Sequence, residues 1–232
     1  MPGRCLPNET VAGGVVIGNM LNQRAQEMGL TLSEENIQAF EQYVAELKKW
    51  NSKVNLTAIT SDSEIVVKHI IDSLIFAAHI KDGESVLDIG SGAGLPAIPL
   101  KIVKPLVSVV SVDAVGKKIL FQRHVARLLG FNHFEALHAR VENMPDAGTR
   151  RFDVITSRAF SRLEQFVALA APLLAASGRL IAMKGPSAIE EMKKTDELIS
   201  GRGFEISAIH SHKLPLNAGK RNLIVITPCK VA

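Results

Sequence analysis

Cysteine is almost absent from the 232 residues: Cys5 and Cys229 stand near opposite ends of the chain. They form no Cys-x-x-Cys or Cys/His spacing, which argues against a disulfide scaffold, a zinc site and a redox pair. A reducing, cytoplasmic setting is expected. Long apolar runs are lacking too, and none reaches the roughly 18–20 residues needed to cross a bilayer. The nearest approach to a leader, residues 11–18, contains three glycines, follows a single Arg4 and runs into Asn22-Gln23-Arg24. Export and membrane association are therefore not expected. Tandem repeats and low-complexity tracts are missing. His124, His210 and His212 have no partners at metal-ligand spacing, and no metal is expected.

What remains is ordinary globular material. Hydrophobic residues make up 47% and charged residues 22%, enough for one compact domain with a full α/β core. The net charge of +4 conceals an asymmetry: residues 1–115 carry 9 Lys/Arg against 13 Asp/Glu, and residues 116–232 carry 18 against 10. A basic half fits an acidic partner, and equally a solvated surface.

Residues 1–19 are rich in Gly and Pro and show no periodicity, so they are expected to form a flexible tail, with Met20 a workable start. Residues 20–232 are expected to form a single domain, with a helical portion over 20–81 and an α/β core over 82–232. Ser33 suits a helix N-cap, with Glu34 and Glu35 where the helix dipole favours acids and Lys48 and Lys49 at the far end. Ile37, Phe40, Val44 and Leu47 recur between them at helical spacing. A second helix is predicted over 64–80. From Ser85 the pattern changes to short apolar strands at 85–89, 108–112, 134–139, 153–157, 179–183, 204–210 and 222–227. Helices are predicted between them at 95–104, 117–129, 163–176 and 188–202. Such alternation implies a parallel sheet covered on both faces. Only 213–221 separates the last two strands, too short for a crossover, so they should pair antiparallel.

The first strand ends in Asp88-Ile89-Gly90-Ser91-Gly92-Ala93-Gly94-Leu95, and ligands of open α/β sheets bind just beyond strand carboxyl ends. A nicotinamide fingerprint would place its third glycine at position 95, where Leu95 stands. No Gly-Lys-Ser/Thr follows, which rules out a P-loop. Asp113 ends the second strand, 23 residues after Gly90, where an acid accepts both hydroxyls of a ribose.

Asp88-x-Gly90-x-Gly92-x-Gly94 with the acid after strand two resembles the first two motifs of the class I S-adenosylmethionine-dependent methyltransferases, which have a Rossmann-like sheet of seven strands. Further segments narrow the match: Asn55-Leu56-Thr57-Ala58-Ile59, Lys68-His69-Ile70-Ile71-Asp72-Ser73-Leu74, Leu95-Pro96-Ala97-Ile98-Pro99-Leu100, Gly116-Lys117-Lys118, Ser157-Arg158-Ala159-Phe160, Lys184-Gly185 and Arg221-Asn222-Leu223-Ile224-Val225-Ile226. Together they resemble the bacterial 16S ribosomal RNA methyltransferase G family, also called glucose-inhibited division protein B, over roughly residues 20–227. Ala97 departs from that family's usual glycine, and Ala114 from its common serine.

The resemblance implies methyl transfer from S-adenosylmethionine to N7 of a guanine in the decoding-region loop of 16S ribosomal RNA. The partner would be 16S ribosomal RNA, as naked RNA, in a 30S subunit or in its assembly intermediate; nothing in the sequence suggests an obligate dimer, and a monomer is expected. It places the cofactor on Asp88, Gly90, Gly92, Gly94, Leu95, Asp113, Val141, Glu142 and Arg158. In physical terms Gly90 gives backbone access, Leu95 walls the pocket, Asp113 takes the ribose, and Glu142 with the backbone at Val141 meets the adenine amino group. Arg158 suits either the methionine carboxylate or an RNA phosphate. Arg158 and Lys184 are the candidate catalytic residues, Lys184 contacting phosphate or steadying the pocket edge.

Guanine N7 has an in-plane lone pair and no proton, so no general base is required and alignment suffices. The lack of a cysteine between Cys5 and Cys229 argues against a C5-pyrimidine methyltransferase. The Asn/Asp-Pro-Pro-aromatic motif of amino-group methyltransferases is also missing after strand four. Phe160 is either a stacking face for the target base or core packing, and His69 either faces the pocket or is a hydrogen-bonded core residue. Lys117, Lys118, Arg123, Arg127, Arg150, Arg151, Arg162, Lys213, Lys220 and Arg221 are candidates for phosphate contact. A small-molecule or protein methyltransferase of the same fold, and a non-catalytic nucleotide-binding regulator, are the competing readings.

Overall fold

A computed structural model describes residues 10–229 apart from 147, 159 and 161. Seven strands form one sheet in the order β3-β2-β1-β4-β5-β7-β6: β1 (Ser85–Ile89), β2 (Ser108–Asp113), β3 (Phe134–His138), β4 (Phe152–Ser157), β5 (Leu174–Lys184), β6 (Phe204–Lys213) and β7 (Lys220–Pro228). Pairing is parallel from β3 through β5, and β7 runs antiparallel to both β5 and β6. The order reverses between β1 and β4, which sets a crevice at their carboxyl ends. The strands fall where the short apolar runs place them. One helix overruns: α7 (Leu163–Ala170) gives way to a 3-10 turn, Ala171–Leu173, and β5 starts at Leu174, well before 179. Pro172 has no amide hydrogen with which to continue the helix.

The central strands β1, β2 and β4 are buried on both sides, and successive residues feed two cores. Val86, Val109, Val154 and Leu223 pack with α5 (Ala97–Val103), α6 (Gly116–Leu128) and the N-terminal helices. Leu87, Val110, Ile155 and Ile224 pack with α7 and α8 (Ala188–Ser200).

Helix α2 (Glu34–Val54) begins in a capping box, with the Asn36 amide donating to Ser33 Oγ and the Ser33 amide to Asn36 Oδ1, each at 3.2 Å. Its buried stripe is Phe40, Tyr43, Val44 and Leu47, so Tyr43 takes the place expected of Ile37. The predicted helix at 64–80 is α3 (Asp62–Glu64), a π-helical stretch Ile65–Ile71, and α4 (Asp72–Ala77).

Residues 10–19 depart from the expected tail. They belong to α1 (Thr10–Glu27), with Ile17, Leu21 and Ala25 buried at four-residue spacing. A Cβ at Gly18 would lie 2.8 Å from Ile37 Cγ2, so this glycine allows α1 and α2 to approach closely. Residues 1–9 lie outside the described residues. No helix among the described residues is long and apolar enough to cross a membrane.

Candidate functional site

The turn after β1 is built from left-handed glycines: Gly90, Gly92 and Gly94 have φ of 72°, 60° and 82°. Gly94 is also sterically required, because a Cβ there would sit 2.4 Å from Ile98 Cδ1. Asp113 holds the turn from β2, accepting the Gly92 amide on Oδ2 at 2.9 Å and the Val115 amide on Oδ1 at 2.8 Å. Underneath, Ser111 Oγ lies 2.5 Å from both Ser91 Oγ and Gln122 Oε1. Gln122 Nε2 donates to Ser91 Oγ at 2.7 Å and to the Gly92 carbonyl at 2.9 Å. From the helical side, Tyr43 Oη donates to the Ala93 carbonyl at 3.0 Å.

A cavity of about 210 Å³ opens beside this turn, lined by Gly90, Asp113, Ala114, Val141, Glu142 and Phe160 among others. The Asp113 carboxylate has about four acceptor positions and the backbone uses two of them, which leaves capacity for a vicinal diol. The Val141 carbonyl accepts from the Met144 amide at 3.2 Å and keeps a second lone pair, so it and the exposed Glu142 carboxylate are both acceptors at that corner. Leu95, expected to wall the pocket, is buried in the helical-side core and does not line this cavity.

Asp88 lies beneath the turn, fully buried. Oδ2 accepts the Ala97 amide at 3.2 Å, and Oδ1 has no partner. Burial raises the Asp88 pKa well above the ordinary carboxylate range, and the neighbouring Asp113 adds to this; the Ala97 hydrogen bond and Arg158 oppose it.

Arg158 follows β4 on the side of the helical portion and does not line the cavity. Its Nη2 donates to the Lys68 carbonyl at 3.1 Å and stands 3.1 Å from Asp72 Oδ2, while Nη1 is buried without a hydrogen-bond partner. Asp72 Oδ1 accepts from Arg221 Nε at 2.5 Å. His69 Nε2 is 2.9 Å from Thr57 Oγ1. Burial, followed by the Arg158 charge, brings the His69 pKa down to about 4, so its ring is neutral at pH 7. Of the two readings for this histidine, the geometry is that of a hydrogen-bonded core residue.

Lys184 Nζ lies 3.0 Å from both Glu191 oxygens and donates to the Phe160 carbonyl at 2.9 Å. Glu191 Oε1 also accepts the Leu163 amide at 2.7 Å. Lys184 therefore sits under the loop after β4 and ties it to α8. Phe160, carried by that loop, lines the cavity and packs on Phe166 with centroids 5.7 Å apart. Ala159 lies outside the described residues. Asp72, Thr57 and Tyr43 had no role in the sequence reading. The one signal for Asp72 was an acid inside the apolar run 65–78.

The cavity's lining fits S-adenosylmethionine: an acid for a ribose, a glycine wall open to close approach, and an acceptor at the adenine corner, with the Arg158 guanidinium outside that lining. Among the described residues no group of three or more His, Cys, Asp or Glu could hold a metal ion. A glycine turn at the switch point, an acid ending β2, and a sheet with β7 reversed define the class I methyltransferase fold.

Solved structures share it: a ribosomal protein L11 methylase from Lactobacillus delbrueckii subsp. bulgaricus (TM-score 0.55, 16% identity, 68% of this chain and 78% of that one). A Pyrococcus horikoshii TYW2 in complex with MeSAdo also matches (TM-score 0.56, 13% identity, 70% and 63%). Within that class the chain belongs to the rRNA small subunit methyltransferase G family, whose model matches residues 36–224. It is 45% identical to the Ribosomal RNA small subunit methyltransferase G of Geobacter sulfurreducens over 210 residues, 90% of this chain and 97% of that protein. It is 40% identical to the protein of the same name from Oceanobacillus iheyensis, with 87% of each chain covered.

Proposed function

We propose that the chain transfers a methyl group from S-adenosylmethionine to N7 of a guanine in the decoding-region loop of 16S ribosomal RNA, within the cytoplasm. The observation that carries this reading is the cavity joining Gly90, Asp113 and Glu142, in a chain of this family. Asp113 accepts the ribose hydroxyls, Glu142 accepts from the adenine amino group, and Gly90 lets the backbone approach the methionine end. Arg158 Nη1 donates to the methionine carboxylate. When bound, the cofactor supplies an electrophilic methyl on a sulfonium.

The target N7 lone pair forms the new N–C bond as the S–C bond breaks, and the positive charge passes from sulfur to the guanine ring. No proton moves, so the protein's contribution is alignment and exclusion of water. This agrees with the placement of His69, a core residue hydrogen-bonded to Thr57 and absent from the cavity lining. Phe160 offers a ring at the cavity edge for stacking on the extruded base. Lys117 and Lys118 open α6 on one flank, and Lys213 and Lys220 pair across the β6–β7 hairpin on the other. These cations supply sequence-independent phosphate affinity.

The test is to incubate the purified protein with S-adenosylmethionine and 30S subunits lacking the modification, then map methylated nucleotides. A single N7-methylguanosine in the decoding region is expected. Unmodified RNA, or methylation of protein alone, overturns the reading.

A further inference from the structure

Asp72 is a fully buried carboxylate amid Ile70, Ile71, Leu74 and Ile75. Such a charge is tolerated only when paired, and here two cations share it. Oδ1 is held by Arg221 Nε at 2.5 Å from the start of β7, and Oδ2 stands 3.1 Å from Arg158 Nη2 on the loop after β4. The Lys68 carbonyl, within the π-helical stretch Ile65–Ile71, takes a second Nη2 contact at 3.1 Å. One carboxylate against two guanidiniums leaves an excess positive charge, and both Arg158 Nη1 and Asp72 Oδ2 are buried with no hydrogen-bond partner. Asp88 is a further acid near Arg158: burial pushes its carboxyl upward, and the Arg158 charge opposes that shift. A pinned guanidinium with one spare N–H and uncompensated charge is a receptor for a carboxylate.

We propose that Asp72 is a positioning residue for methyl transfer: hydrogen-bonded to Arg221 Nε and in ionic contact with Arg158 Nη2, it holds the Arg158 guanidinium in place so that Nη1 serves the methionine carboxylate of S-adenosylmethionine. The proposal rests on the reading that this cofactor occupies the site beside Gly90. Arg221 acts one step further out, holding the Asp72 carboxylate in the plane that meets Arg158.

The experiment is calorimetric titration of the whole chain, without RNA, using S-adenosylmethionine and methylthioadenosine, which lacks the methionine carboxylate. Asp72→Asn keeps the shape and removes the charge. Its Kd for S-adenosylmethionine should rise about tenfold, the scale of one weakened charge-assisted hydrogen bond. Its Kd for methylthioadenosine should match wild type, whereas a merely structural role would weaken both ligands. Asp72→Asn should add nothing in an Arg158→Ala background, because both changes remove one interaction. Should Asp72→Asn fail to fold, Arg221→Gln is the second variant, with an expected rise of about threefold for S-adenosylmethionine alone.

Wild-type affinity in folded Asp72→Asn, or in Arg221→Gln where Asp72→Asn does not fold, overturns the proposal. Equal weakening of both ligands, or losses that multiply with Arg158→Ala, also overturns it. A wild-type chain that binds neither ligand overturns the cofactor reading itself.

Discussion

Tyr43 in α2 donates its hydroxyl to the Ala93 carbonyl at 3.0 Å, tying the N-terminal helices directly to the glycine turn. Both residues are buried, so Tyr43→Phe leaves a carbonyl with neither protein nor water to bond. The expected cost is about 1–3 kcal/mol of stability, read from urea unfolding. Because the turn forms the wall at Gly90, affinity for S-adenosylmethionine should fall as well. A destabilised variant with unchanged cofactor affinity would mean that the turn holds its shape without the helices.

His69 makes stability depend on pH. Its folded pKa, near 4, lies below the ordinary 6.5, so the unfolded chain binds the proton more readily. The contribution is complete above pH 6.5 and is lost as pH falls toward 4. At pH 5 the loss amounts to about 2 kcal/mol. Urea unfolding of wild type and His69→Gln at pH 7.5 and pH 5 isolates it, since the other titrating groups are common to both. The variant should lose less stability over that interval, and parallel losses would refute the assignment.

Gly92 and Gly94 share positive φ but differ in surroundings. A Cβ at Gly92 meets nothing within 4 Å, whereas one at Gly94 would be 2.4 and 2.7 Å from Ile98 side-chain atoms. Gly92→Ala therefore carries backbone strain alone, of order 1 kcal/mol. Gly94→Ala adds overpacking, about 1–3 kcal/mol more. Equal thermal midpoints for the two variants would show that Ile98 yields without cost.

What the sequence revealed and what it concealed divide by distance along the chain. The central parallel strands β1, β2 and β4 were legible because strands buried on both faces are short apolar runs. Gly90 and Asp113 drew attention because they stand at strand ends, where an open α/β sheet binds ligand, whereas Glu142 came only with the family resemblance. The supports of the site were not. Tyr43 reaches a carbonyl 50 residues away, and Arg221 reaches an acid 149 residues away. Neither pairing leaves a local pattern. Asp72 stood in plain view within Lys68-His69-Ile70-Ile71-Asp72, but the reason for an acid in an apolar helix appears only when Arg158 and Arg221 fold onto it.

Helix α1 was hidden for another reason, and it gives the last prediction. Gly13, Gly14 and Gly18 lower its intrinsic helix propensity by about 1 kcal/mol each relative to alanine, so local reasoning favours a tail. Tertiary contact prevails: Ile17 is 5% exposed, and Gly18 faces Ile37 and Glu41 of α2. A chain starting at Met20 loses the Ile17 burial, worth about 2 kcal/mol, and leaves an α1 too short to persist without packing. Its urea midpoint and m-value should both fall. Gly18→Ala sharpens the test, because propensity and packing predict opposite signs. On propensity alone alanine stabilises, but its Cβ would stand 2.8 Å from Ile37 Cγ2. The flexible Glu41 carboxylate can swing away, but Ile37 Cγ2 sits on a β-branched carbon whose rotamer is restricted in a helix, so destabilisation is expected. A more stable Gly18→Ala would mean that α1 lies on the surface without holding it.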